Sequence, residues 1–126
     1  MDKLEYIPGD LVIYTSLIKD HIAEICEVYE TSYLIGFMRR NSARVTSKEI
    51  KPIPLTPDIL KKNGWEFRRG FYFSTNEKGI LICLISQGSG IWDAYTGGKP
   101  LRSGINNVSD LQHLLFGLGL NSEMEV

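Results

Sequence analysis

The sequence predicts an α+β fold in two small parts, a closed five-stranded β-barrel followed by a helix, an antiparallel β-meander and a C-terminal helix. Short runs of β-branched and aromatic residues, separated by turn residues, fill the chain up to about residue 54, which is typical of small barrels. Similar runs cover residues 65–105, and leucines at helical spacing follow them, as in a helix packed on a sheet. We therefore expect one domain at residues 1–54 and a second at residues 55–126.

Length and composition are those of an ordinary small globular protein. The chain has 126 residues, of which 43% are hydrophobic and 23% charged. No apolar run reaches the roughly 18 residues of a membrane helix, and the polar start does not resemble a signal peptide. Cys26 and Cys83 lie far apart in apolar surroundings, which favours free thiols packed as small core residues. The sequence thus predicts a reduced, cytoplasmic protein without a membrane segment.

Residues 16–30 are the ambiguous part of the first domain. Ile18, Ile22, Ile25 and Tyr29 recur at helical spacing, which favours an amphipathic helix. The same stretch is rich in β-branched and aromatic residues and lies between two strands, which favours a long bent strand. We adopt the strand, with a bulge near Glu27 to account for its broken alternation.

The rest of the first domain predicts four further short strands and one tight helical turn. The strands are expected at residues 11–14, 33–38, 43–45 and 51–53, and the helical turn at residues 46–50. A barrel is favoured because closure removes the exposed edges of so small a sheet. A one-turn helix before the last strand is similar to SH3-like barrels, and this resemblance covers residues 7–54.

Residues 54–65 carry the start and stop signals of a short helix. Thr56 is a suitable N-cap and Pro57 suits the first helical position. Gly64 can adopt the left-handed conformation that ends a helix, and Trp65 can fold back onto the last turn. This helix separates the two domains.

The second domain is expected to bury a meander against its last helix. The most hydrophobic run, residues 80–85, predicts a central strand covered on both faces. Ser109 begins a capping box for the last helix, although Asn107 is an alternative cap, and Gly119 ends the helix. The predicted core comprises Trp65, Phe67, Phe73, Ile80, Ile82, Leu84 and Trp92 on the meander, and Leu111, Leu114, Leu115 and Leu118 on the helix.

Three stretches of the chain resemble a family of small uncharacterised proteins from phages and mobile elements of gut anaerobes. They are residues 9–12, 50–65 and 108–114. The family implies an organisation and no activity. Some of its members carry a His-Glu-Leu-Gln-His version of the last stretch, which mimics a zinc-protease motif. Here residues 109–113 lack the first histidine and the glutamate, so no zinc site is predicted.

No catalytic, metal or cofactor site is predicted elsewhere. His21 and His113 have no partner at metal-ligand spacing, and Asp20 beside His21 points to the other face of a strand. Residues 98–100 read Gly-Lys-Pro and fail the phosphate-binding loop, while residues 88–90 lack the third glycine of a dinucleotide site. We therefore expect a protein that is not an enzyme.

The charge of the chain is unevenly distributed. Residues 1–30 hold seven acidic and two basic side chains, whereas residues 39–69 hold nine basic and three acidic ones. Either the two stretches neutralise each other on the folded surface, or the basic stretch binds an anionic ligand. The candidate binding residues are Arg39, Arg40, Arg44, Lys48, Lys51, Arg68 and Arg69, with Trp65 and Phe67 as rings close in sequence.

The expected function is a non-enzymatic binding or adaptor module of a phage or mobile element, without a cofactor, acting on a protein partner. Tyr14, Tyr29 and Tyr33 suggest a protein-binding groove on the barrel. The alternative is weak nucleic-acid binding by the basic stretch. The partner and the oligomeric state are left open by the sequence.

Overall fold

The chain forms two compact units, which span Met1–Ile53 and Pro54–Val126 and are called here the N-terminal and the C-terminal unit. The computed structural model describes residues 6–15, 20–37, 41–76 and 78–126. Each unit contains one five-stranded antiparallel sheet, and the C-terminal unit adds two helices. The predicted α+β class is therefore confirmed.

The N-terminal sheet is a four-stranded meander with a fifth strand beside its first. Its strands lie in the order β4-β3-β2-β1-β5. They are β1 (Leu11–Thr15), β2 (Asp20–Val28), β3 (Tyr33–Gly36), β4 (Ser42–Val45) and β5 (Ile50–Pro52). Among the described residues no ladder joins β4 to β5, so closure into a barrel is not confirmed.

The ambiguous stretch of the first unit is a strand over Asp20–Val28, while residues 16–19 lie outside the described part of the chain. The pairing of β2 with β3 shifts register between Ile25 and Glu27, so the predicted bulge is confirmed. The stretch before β5 is a tight turn and not a helix. It is closed by the Glu49 N–H, which donates to the Thr46 carbonyl at 3.0 Å.

The core of the N-terminal unit lies on one face of its sheet. Cross-strand pairing places Val12 opposite Ala23 and Ile25 opposite Ile35. Burial of each large aliphatic side chain contributes about 1.5–3 kcal/mol. The buried cluster comprises Tyr6, Val12, Ala23, Ile25, Ile35, Val45 and Ile50. Cys26 is exposed, so its predicted role as a core residue is wrong.

The C-terminal sheet is an up-and-down meander in the order β10-β9-β8-β7-β6. Its strands are β6 (Glu66–Arg68), β7 (Phe71–Ser74), β8 (Ile82–Gly88), β9 (Ile91–Thr96) and β10 (Lys99–Ile105). Two-residue loops join three of the hairpins, with positive φ at both positions, as type I′ turns require. These loops are Arg69-Gly70, Ser89-Gly90 and Gly97-Gly98.

Both edges of the C-terminal sheet are poor templates for a further strand. β6 has only three residues. β10 contains Pro100 and two register shifts against β9, and its Gly104 N–H donates to Asp93 Oδ1 at 3.1 Å. Short, irregular or proline-containing edges limit pairing with other chains.

Helix α1 (Pro57–Lys62) begins and ends as predicted. Thr56 Oγ1 accepts a hydrogen bond from the Ile59 N–H at 3.3 Å. Gly64 has a φ of 85°, and the Trp65 N–H donates to the Leu60 carbonyl at 3.0 Å. This is a Schellman ending, in which the residue after the glycine contacts the last turn.

Helix α2 (Val108–Gly117) is capped by Asn107, the alternative to Ser109. Asn107 Oδ1 accepts from the Asp110 N–H and from the Ser109 hydroxyl, both at 2.8 Å. Gly119, with a φ of 73°, follows the helix as expected. Among the described residues no helix is long and apolar enough to cross a membrane.

The core of the C-terminal unit departs from the prediction at the sheet edge and on one face. Phe67 is 56% exposed, because it lies on the short edge strand β6. Cys83 and Ile85 are half-buried and Leu81 is 47% exposed, so the central strand is buried on one face only. Of the predicted core, Trp65, Ile82, Leu84, Trp92, Leu111 and Leu115 are buried, whereas Phe73, Ile80, Leu114 and Leu118 are half-buried.

Candidate binding surfaces

The predicted basic stretch is divided between the two units. Arg44, Lys48 and Lys51 belong to the N-terminal unit, and Arg68 and Arg69 to the C-terminal unit. The two remaining candidates, Arg39 and Arg40, lie outside the described residues. All five described cations are exposed, and each group is considered within its own unit.

The cations of the N-terminal unit are separated along the sheet. Arg44 lies on β4 and Lys51 on β5, at opposite edges, which four strand spacings place roughly 19 Å apart along the sheet. Lys51 Nζ lies 3.7 Å from Asp20 Oδ2. The Arg44 guanidinium lies 4.2 Å from the centroid of the Tyr29 ring. Two of the three cations therefore have a local partner. Arg44 and Lys51 lie too far apart to form a shared anion site.

The solvent-facing side of the N-terminal sheet, called here the N-terminal outer face, carries several large apolar side chains. Ile13 of β1 pairs with Ile22 of β2, on the side opposite the core. Leu11 and Leu34 lie on the same side. Three of these four side chains are half-buried and Ile22 is 43% exposed. An antiparallel sheet with one solvated face usually alternates apolar and polar residues, as β4 and β5 do here, but β1 carries apolar residues on both faces over its first four positions.

A shallow recess of about 390 Å³ opens on this face beside Gly36. Leu11, Ile22 and Cys26 line it, together with the neighbouring Phe37. A Cβ at Gly36 would lie 2.9 Å from Cys26 Sγ, so glycine leaves the space that the thiol occupies. The Glu24 carboxylate also lines the recess, and in the described part of the chain it makes no ion pair.

The three tyrosines expected to form one groove make three separate contacts. Tyr14 packs against His21 and Phe37, with ring centroids 6.2 and 5.7 Å away. Tyr33 meets Tyr6 edge to face. Tyr29 lies under Arg44 and donates its hydroxyl to Glu27 Oε1 at 3.0 Å. Within the described residues, no ring contact joins the three tyrosines to one another.

Trp65 and Phe67 do not provide rings beside the arginines of the C-terminal unit. Trp65 is only 5% exposed, and its backbone closes α1. Phe67 contacts Tyr72, with centroids 4.9 Å apart. Phe67 points to the opposite face from Arg68, because adjacent residues on a strand alternate.

Three other aromatic rings lie on the same face of the sheet as Arg68. The sequence alone did not indicate them as part of a binding site. Arg68 pairs with Phe71 across the β6–β7 hairpin, and Glu66 pairs with Phe73. The row continues through Cys83 to Tyr95. The Phe71, Phe73 and Tyr95 side chains are half-buried. We call this side of the sheet the C-terminal outer face. A two-residue Arg-Gly turn fixes the register, so the sequence contained the signal.

A recess of about 450 Å³ lies at the edge of the C-terminal outer face. Its lining includes Glu66, Arg68, Arg69, Phe73 and Leu81. Ser74 and Thr75 add two hydroxyl groups. Arg68 is paired with Glu66. Arg69 makes no ion pair among the described residues, so it remains a cation available to a ligand.

Reactive side chains are few and dispersed in the described part of the chain. Both cysteines are free, and burial raises the pKa of the Cys83 thiol. His21 packs in the ring cluster described above, while His113 is half-buried on α2. Over the described ranges, no three His, Cys, Asp or Glu side chains are grouped so that they could hold a metal ion.

Comparisons of the chain with protein-family models, curated proteins and solved structures find no match. The resemblance to small phage and mobile-element proteins therefore stays a prediction. Function has to be inferred from the two outer faces and their charges.

Proposed function

We propose that the protein is a non-enzymatic binding module that recognises a protein partner through the N-terminal outer face. The observation that supports this most is the pairing of Ile13 with Ile22 on the solvent side of the sheet, with Leu11 on the same face of β1. Large apolar side chains grouped on a surface mark sites of association more often than isolated ones do. Covering them with a partner would bury apolar area that the monomer leaves in contact with water.

The recess beside Gly36 defines the chemistry of the partner segment. Its walls are mostly apolar, and Glu24 is the carboxylate on its rim. A large apolar side chain would fill the recess, and a lysine or arginine next to it would pair with Glu24. Apolar anchors in a pocket, with complementary charges at the rim, are the usual source of affinity and of specificity.

The proposal includes an SH3-like barrel for the N-terminal unit. The strand order β4-β3-β2-β1-β5 and the tight turn before β5 support it. The proposed setting is a reduced cytoplasm, and the proposed origin is a phage or mobile element. We propose no catalytic activity.

The test compares the protein with an Ile22→Glu variant. Immobilised protein is used to capture partners from a lysate of the source cells, and the captured protein is then purified and titrated against both forms by calorimetry. A charge at the centre of an apolar contact must be desolvated, so we expect at least about a tenfold loss of affinity.

Val28→Glu is the matched control, because Val28 is 47% exposed, lies on the same strand and does not line the recess. It should bind the partner as the unchanged protein does. Equal affinity of the Ile22→Glu variant and the unchanged protein would refute the proposal. Light scattering of the free protein shows whether the partner is a second copy of the chain.

The alternative, nucleic-acid binding by the whole basic stretch, is tested by a salt titration. Phosphate contacts make affinity fall steeply with salt. Single variants of Arg44, Lys48 and Lys51 should each weaken such binding if the N-terminal cations take part. The local partners of Arg44 and Lys51, and the separation of these two cations along the sheet, favour no effect.

A further inference from the structure

We propose that the C-terminal outer face binds single-stranded nucleic acid, with bases stacked on Phe73 and Tyr95 and a phosphate held by Arg69. This goes beyond the proposed protein-binding function and uses residues of the other unit only. The failure of either proposal therefore leaves the other standing.

The rings lie in a geometry suited to stacking. Phe73 and Tyr95 belong to one cross-strand row and are separated by Cys83, so they lie roughly 10 Å apart across two strand spacings. The side chain between them is a small thiol. Phe71 adds a third ring, edge to face with Phe73 at 6.2 Å. Aromatic side chains on a sheet stack unpaired bases, and every base has a face to offer.

The charge beside the rings complements a phosphate. Arg69 and Arg68 line the same recess as Phe73. Glu66 partly neutralises Arg68, whereas Arg69 has no carboxylate partner in the described residues. Ser74 and Thr75 add hydroxyls to the recess, which can donate to phosphate oxygens. A ligand that joins an aromatic base to a phosphate satisfies both halves of the recess.

Arg69 adopts a backbone conformation that is unfavourable for an arginine. Its φ is 53°, a left-handed conformation that costs an ordinary L-residue roughly 1–2 kcal/mol. Asparagine or glycine is the usual choice at this position of a type I′ turn. The turn alone therefore does not favour arginine, whereas a cation projecting at the rim of the recess does.

A single strand fits this surface better than a duplex does. In a duplex the bases are stacked on one another, so their faces are closed to protein rings. The few cations around the recess also predict weak binding, because affinity for the phosphate backbone grows with the number of phosphates neutralised.

The experiment measures the fluorescence anisotropy of a labelled oligothymidylate of about twelve nucleotides, within the range of known site sizes. The full chain is titrated up to roughly 10⁻⁴ M, the weak end of non-specific affinities, at several salt concentrations. Thymidine monophosphate, a matched duplex and an apolar peptide with one acidic residue serve as competitors.

Two variants probe the two halves of the recess. Arg69→Asn should lower the affinity and reduce the slope of log K against log salt by about 0.7, the contribution of one phosphate on a single strand. Phe73→Leu should weaken binding about tenfold through lost stacking, with the salt slope unchanged. This difference separates a phosphate contact from a stacking contact.

Two controls introduce the same residues, asparagine and leucine, away from the recess. Ser89→Asn changes the same position of another type I′ turn, and Phe116→Leu removes a ring that is 65% exposed on α2. Both should bind as the unchanged protein does. The absence of binding at low salt, equal affinity of Arg69→Asn and the unchanged protein, or equal competition by the duplex would overturn the proposal. Equal affinity for the mononucleotide or displacement by the peptide would also overturn it.

Discussion

Arg69 and Ser89 occupy backbone positions that their side chains do not favour. Both begin two-residue hairpin loops with a positive φ, 53° for Arg69 and 54° for Ser89, and each is followed by a glycine. Asparagine adopts this conformation more readily, because its short polar side chain can bond to the local backbone.

We expect Arg69→Asn and Ser89→Asn each to raise the free energy of unfolding by roughly 0.5–1 kcal/mol, part of the cost of a left-handed L-residue. Urea unfolding followed by tryptophan fluorescence measures this, since Trp65 and Trp92 both lie in the C-terminal unit. Arg69→Val should have the opposite sign, because a β-branched side chain is strained at positive φ. If Arg69→Asn lowers stability, the turn assignment is wrong.

The two thiols should differ in reactivity. Cys26 is exposed, whereas Cys83 is half-buried with a raised pKa caused by desolvation. Because the thiolate is the reactive form, a raised pKa leaves less of it at a given pH. We expect iodoacetamide to modify Cys26 first, and the rate at Cys83 to keep rising at a pH where an ordinary thiol has levelled off. Mass spectrometry of Cys26→Ser and Cys83→Ser variants follows each site alone, and faster labelling of Cys83 would contradict the assignment.

At the scale of elements, the N-cap residues of the two helices differ in how deeply they are buried. Thr56 is half-buried and accepts one backbone N–H, whereas Asn107 is 5% exposed and accepts both a backbone N–H and the Ser109 hydroxyl. Removing Asn107 leaves the buried Ser109 hydroxyl without this acceptor, which adds a desolvation cost.

We therefore expect Asn107→Ala to destabilise the C-terminal unit by about 2 kcal/mol and Thr56→Ala by about 1 kcal/mol, within the usual range for caps. Denaturant unfolding of both variants gives the comparison. Thr56→Ser and Asn107→Asp keep an acceptor oxygen and should recover most of the loss. A larger effect at Thr56 than at Asn107 would contradict this ranking.

Local sequence signals predicted the elements better than they predicted what covers them. The ending of α1, the bulge in β2 and the turns of the C-terminal sheet depend on a few adjacent residues such as Gly64, and these are visible in the sequence. Burial of Phe67 and Cys26 depends on which elements lie over them, which no local pattern encodes. Closure of the first sheet is a long-range property of the same kind.

The recess beside Phe73 is lined by two arginines that were named from the sequence as candidate binding residues, whereas Phe73 was not named with them. Arg68 and Arg69 were identified as basic residues, but the rings chosen with them were Trp65 and Phe67, their neighbours in sequence. Strand alternation places Phe67 on the other face, while pairing across the hairpin brings Phe71 and Phe73 to the side of Arg68. Proximity on a sheet follows the register and not the distance along the chain.

At the scale of the whole molecule, the two units have separate sheets, and the buried cluster around Ile25 and Ile35 belongs to the N-terminal unit. Both tryptophans lie in the C-terminal unit, and four of the six tyrosines lie in the N-terminal unit. Tryptophan fluorescence therefore reports on one unit, while far-ultraviolet circular dichroism reports on both.

We expect core substitutions in the two units to have separable effects. Leu84→Ala and Ile35→Ala each truncate a fully buried side chain and should cost about 2–5 kcal/mol. Leu84→Ala should lower the urea midpoint seen by tryptophan fluorescence, whereas Ile35→Ala should lower the midpoint of a transition that is seen by circular dichroism and not by fluorescence. Identical shifts of both signals in both variants would show a single cooperative transition.

The irregular edge strands of the C-terminal sheet affect self-association of the protein at high concentration. The short β6 and the proline-containing β10 offer an incoming strand few consecutive hydrogen-bonding groups. Edge-to-edge addition of strands to this sheet, as in cross-β fibrils, is therefore disfavoured. At high protein concentration we expect molecules to associate instead through the apolar side chains of their outer faces. We expect such contacts to dissociate on dilution and to leave thioflavin fluorescence unchanged.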